Sequence, residues 1–111
     1  MIAESYNWEI KQGEDTTFSA QLLNDNDMPQ DITGYTFQAQ LREYPESAFA
    51  IPFTITTVPT QGKFSLFLSA AVTSSIYFDR GVYDIFFTNS ATGEKLCILQ
   101  GEVKIHKQVT R

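Results

Sequence analysis

The chain is poor in the residues that most often carry chemistry: its 111 positions hold one cysteine, one histidine and one tryptophan. A lone Cys97 excludes an intrachain disulfide, so stability rests on packing, and a reducing compartment is compatible with it. A lone His106 excludes multi-histidine metal sites and confines any Ser-His-Asp or Cys-His arrangement to one imidazole near the end of the chain. GxxxxGK[ST], GxGxxG, CxxC and GxSxG are all missing. Basic residues are also scarce, eight against thirteen acids for a net charge of -5, which speaks against a phosphate-binding surface and so against nucleic acid as a partner. No apolar run approaches the roughly 18 residues of a membrane span. Residues 1–5 have neither a basic start nor an apolar core, so no conventional secretory leader and no membrane association are expected.

What the chain does have is aromatic and apolar residues in alternation. Nine Phe and five Tyr within a 42% apolar composition favour a folded, β-rich chain. The length suits one domain spanning 1–111. Tyr6, Trp8 and Ile10 share one face of 6–12, and Phe18, Ala20 and Leu22 one face of 16–23. Residues 35–42 give the cleanest strand, with Tyr35, Phe37, Ala39 and Leu41 inward. Phe49, Ile51, Phe53 and Ile55 align over 49–58, and Phe64, Leu66 and Leu68 over 63–68. Pro52 lacks a ladder donor, so its strand is expected at a sheet edge or to begin only after it. Residues 69–76 break the alternation; Ser69 suits an N-cap, and Val72 with Ile76 predicts one short helical turn crossing between two sheets.

Residues 81–105 form the organising hairpin. Tyr83, Ile85 and Phe87 are expected inward on its first strand, and Cys97, Leu99, Val103 and Ile105 on its second, with a bulge at Gly101. Asp79, Gly81 and Tyr83 match the D-x-G-x-Y pattern that precedes the second core cysteine of immunoglobulin domains, with Ile85 in the cysteine's place. In those domains the tyrosine hydroxyl bonds back to the upstream corner. About seven short antiparallel strands with one helical turn predict an all-β, immunoglobulin-like β-sandwich.

Candidate functional residues are few. Trp8 falls in phase with Ile10 and reads as core. Cys97, in an apolar strand, reads as a buried, inert thiol. The acids of 24–31 lack the spacing of a Ca²⁺ loop and read as a solvated turn. Glu43, Asp79 and Asp84 are the acids that convergence in space would have to assemble for glycoside hydrolysis. No catalytic, cofactor-binding or metal-ligating residue is assigned, and no cofactor is expected. Phe67, Phe86 and Ile98 fall outward on their strands, and with Lys104, at the basic end shared with His106 and Lys107, they are the expected protein-interface residues. Seven acids and one lysine in 1–31 face four bases and one acid in 95–111, which predicts internal pairing if the first and last strands lie close.

Five stretches carry a resemblance: 8–13 with Thr17 and Phe18, 31–42, 62–69, 81–85 and 101–105. The opening Gln12-Gly13 followed by Thr17-Phe18, and Asp31-Ile32-Thr33-Gly34-Tyr35, are the most specific. Together they resemble the small immunoglobulin-like modules of tailed-bacteriophage tail and baseplate proteins, including the N-terminal domains of baseplate upper proteins. The resemblance implies a non-enzymatic virion structural protein, assembled in the host cytoplasm, that joins other virion proteins and forms a homo-oligomer. With no fibre or receptor-binding segment after 101–105, it implies an adaptor or connector in the tail, baseplate or fibre attachment. The alternative is a carbohydrate- or surface-binding β-sandwich module, including a capsid decoration.

Overall fold

Alternating side chains force each strand to bury one face, and two sheets share one core by placing those faces together. A computed structural model describes residues 4–110; of the 1–5 segment read for a secretory leader, residues 1–3 lie outside the described residues. In chain order the elements are β1 (Glu4–Ser5), β2 (Trp8–Lys11), β3 (Thr16–Gln21), β4 (Tyr35–Arg42), β5 (Ala50–Pro52), β6 (Thr54–Val58), a 3₁₀ turn (Pro59–Gln61), β7 (Lys63–Leu68), α1 (Ala70–Ser74), β8 (Arg80–Asn89) and β9 (Lys95–His106). The larger sheet runs β1-β9-β8-β4-β5 with β2 also on β9, and the smaller runs β3-β7-β6. Ile10, Leu41, Leu66, Ile85 and Val103 are wholly buried between them. Trp8 is in this core, stacked on Phe53 at 5.5 Å.

The expectation of antiparallel strands is corrected at the N-terminus. β1 and β2 both pair parallel to β9, Glu4 with Leu99 and Trp8 with Val103. First and last strands therefore lie side by side, the condition under which the uneven charge is expected to pair internally. Gly101 serves this junction rather than a bulge: a Cβ there would stand 1.9 Å from the Tyr6 carbonyl oxygen, so only glycine admits the N-terminal segment. The Tyr83 hydroxyl donates to that same Tyr6 carbonyl at 2.7 Å, so the tyrosine tethers the first strand instead of its own upstream corner. Burial, and secondly the neighbouring Tyr6, push the Tyr83 phenol up to about 12.

The 49–58 segment is two strands in two sheets. β5 pairs with β4, and β6 pairs with β7. The chain changes sheets at Phe53, whose N–H still donates to Ala39 O at 3.2 Å. Pro52 ends the edge strand of the larger sheet, where its missing donor goes unused. Phe49, expected inward, precedes β5 and is exposed.

α1 carries the chain from β7 to β8, from one sheet to the other, as expected. Its N-cap, Ser69, accepts from Val72 N–H. Asp15 accepts from Ala70 N–H at 2.6 Å, and the buried Thr73 hydroxyl donates to Glu14 O at 2.8 Å, fixing the crossover to the turn before β3.

Candidate interaction surfaces

The four expected interface residues occupy three different environments. Phe67 points outward from the middle strand of the smaller sheet, half-buried, in register with Thr17 on one side and Thr54 on the other. Phe86 points outward from the larger sheet beside Gln38 and Cys97, with Lys95 Nζ 5.3 Å from its ring centroid. Lys104 is exposed between Glu9 and Arg80. Ile98 is a correction: it is 6% exposed and belongs to the core. The β8–β9 register jumps there, from Ile85 opposite Leu99 to Phe86 opposite Cys97, so Ile98 is the extra residue of a bulge. The same slip turns Cys97 to the outer face beside Phe86, where it is half-buried rather than inward. Partial burial, reinforced by the Asp84 charge, raises its thiol above the usual range.

The outer face of the smaller sheet is nearly free of charge. Its three cross-strand rows are Thr17–Phe67–Thr54, Ser19–Ser65–Thr56 and Gln21–Lys63–Val58. Short hydroxyl side chains keep this face low around Phe67, and Ser19 Oγ and Ser65 Oγ share a hydrogen bond at 2.9 Å. Lys63 is the single charge.

The outer face of the larger sheet is polar and charged. Gln40–Asp84–Gln100 and Arg42–Val82–Glu102 form consecutive rows. With Ser5, Asn7 and Pro45 they line an open groove of about 620 Å³. The Arg42 guanidinium donates to Ser47 O and, at 3.0 Å, to Gln40 Oε1. Desolvation by its neighbours raises the Asp84 carboxyl above the ordinary range, with the Arg42 and Lys95 charges acting the other way. Further along the face, Glu9 Oε1 meets His106 Nε2 at 3.0 Å and Asp79 meets Lys107 at 3.8 Å. The first of these joins the acidic beginning of the chain to its basic end.

A third surface lies in loops, and it includes Phe49, which alternation places inward. Tyr44, Phe49 and Tyr77 are all more than 40% exposed, with Phe49 and Tyr77 rings 5.5 Å apart. The Tyr77 hydroxyl donates to Glu43 Oε1 at 3.3 Å, and desolvation followed by the Glu43 charge raises its pKa. The available signal was the placement of aromatics in turn-rich segments, where no strand face exists to bury them. Glu43, Asp79 and Asp84 have separate neighbours: Tyr77, Lys107 and the groove respectively. Among the described residues, no three His, Cys, Asp or Glu side chains gather to hold a metal, and no helix is long and apolar enough to cross a membrane. No protein-family model matches the chain, and no curated protein sequence matches it.

Proposed function

We propose that the chain is a non-enzymatic assembly module, an immunoglobulin-like sandwich that joins virion proteins in the tail, baseplate or fibre attachment of a tailed bacteriophage. The observation that carries the assembly reading is the smaller sheet: a low, hydroxyl-rich outer face with one charge and with Phe67 on its middle strand. Protein contact surfaces are depleted of charge and enriched in aromatics at their centre, because desolvating charge opposes association. The helical crossover between the two sheets supports the immunoglobulin-like description. The virion attribution is supported by the five sequence stretches, which lie in and beside β2, β3, β4, β7, β8 and β9. Quantitative mass spectrometry of purified particles tests it. Fixed stoichiometry with a tail or baseplate protein is expected, and absence from the particles contradicts it.

A carbohydrate- or surface-binding role is the second reading, and the groove over Gln40, Asp84 and Gln100 favours it. Amides and carboxylates there match the donor and acceptor pattern of sugar hydroxyls. Trp8, 8% exposed, is too buried to report such binding, so the readout is the amide chemical shifts of 82–86 and 100–102 during titration with a glycan panel. Unchanged shifts across the panel remove this reading.

A further inference from the structure

We infer that a second copy of this chain pairs with it along β3, joining two three-stranded sheets into one of six strands. The inference rests on the assembly reading and names the partner of that same sheet.

The ladder decides which groups are free. Leu22 N–H donates to Gly62 O at 2.8 Å, one position beyond the Gln21–Lys63 pair. Antiparallel hydrogen bonding alternates, so Thr16, Phe18 and Ala20 exchange bonds with β7 while Thr17, Ser19 and Gln21 turn their N–H and C=O groups to the open side. Among the described residues, no backbone or side-chain group bonds these outward amides and carbonyls. β3 lies open because the N-terminal strands joined β9 in the other sheet.

The other edges carry the features that discourage pairing. β5 ends in Pro52, β2 presents Glu9 and Lys11, and β6, itself without charge or proline, runs directly into Pro59. β3, Thr-Thr-Phe-Ser-Ala-Gln, has neither charge nor proline over six residues.

Self-complementarity selects a second copy as the occupant. An antiparallel pair centred on Ser19 places Ser19 opposite its symmetry mate and Thr17 opposite Gln21, so all three outward residues of each chain exchange bonds. In that register Asp15 faces Leu23 and Glu14 faces Asn24, so the flanking acids interleave without meeting. Each copy carries a net charge of -5, and an uncharged strand is where two such copies approach at least electrostatic cost. Tyr6, 47% exposed with its ring 4.9 Å from Phe18, sits beside the seam and gains cover from the partner.

Sedimentation equilibrium of the full chain over a wide concentration range tests this. A monomer–dimer equilibrium is expected, and Ser19→Lys should weaken it by about tenfold or more because the two lysines meet at the dyad. Thr17→Lys is the second variant should the first unfold, and Thr57→Lys, on the opposite edge of the sheet, should leave association unchanged. In a Cys97→Ser background, Ser19→Cys should form a disulfide-linked dimer under mild oxidation, since paired Cα atoms there stand about 5.5 Å apart. A monomer at every concentration, or a dimer indifferent to the lysines at 17 and 19, overturns the pairing. A monomer that nevertheless enters particles removes the pairing alone; a β3-paired dimer absent from particles removes the assembly reading alone.

Discussion

The two sheets bury the same kind of residue and expose opposite kinds. Leu66 and Ile85 are both wholly buried, one in each sheet. Outside, the larger sheet bears Arg42, Asp84, Glu102, Lys104 and Glu9, whereas the smaller bears Lys63 amid serine and threonine. Shared burial makes one fold of the two sheets, and the unlike outer faces divide the labour between them. A charged face stays solvated and resists desolvation, while a face of short hydroxyls loses little when covered. The edges follow the same division, with charge or proline on β2 and β5 and neither on β3.

The largest expected effects test the common core. Leu66→Ala and Ile85→Ala should each cost about 2–5 kcal/mol in denaturant unfolding; if one cost little, the sheets would not share a single cooperative core. Gly101→Ala sharpens the role of the parallel junction, because its methyl has no room beside the Tyr6 carbonyl. Loss of amide protection along β1 and β2 should accompany the destabilisation.

Next in size is Tyr83→Phe, expected to cost about 1–2 kcal/mol through the lost bond to Tyr6. Tyr83 also carries a pH signature. Its folded pKa is raised from 10.0 to about 12, so above pH 10 the folded state holds a proton that the unfolded chain gives up. Stability should be unaffected by this group below pH 10 and fall towards pH 12, by at most about 1.4 kcal/mol per unit. Tyr83→Phe should flatten that part of an alkaline unfolding series.

The contrast between faces is tested by a matched pair of lysines. Ser65→Lys and Gln100→Lys should each change stability by less than about 0.5 kcal/mol. Ser65→Lys should suppress contacts with neighbours in light scattering or pull-down, and Gln100→Lys should not; the reverse result breaks the contrast. Lys95→Ala, which removes the cation over Phe86, should cost about 0.5–1 kcal/mol without altering either outer face's contacts, measured by thermal unfolding.

Alternation is legible where one face of a strand is apolar and the other polar, and β4 forms over the span its pattern predicts. It fails in Leu96-Cys97-Ile98-Leu99, where four apolar residues leave the phase undefined and a bulge moves Ile98 into the core. Periodicity also carries no information about partners. It left open that Phe53 marks a change of sheet, that β2 runs parallel to β9, and that the Tyr83 hydroxyl reaches back to Tyr6. Of the expected interface residues, Phe67 and Phe86 lie half-buried on the outer faces of separate sheets and Lys104 is exposed. The hydroxyl rows around Phe67 emerge only once the register aligns three strands distant in sequence.

Hydrogen exchange of the chain, measured free and in its assembled state, tests most directly which of the two sheets meets its neighbours. The account predicts protection gained at the outward amides of Thr17, Ser19 and Gln21, with β8 and β9 unchanged. Protection gained along 80–89 and 95–106 with β3 unchanged would contradict it.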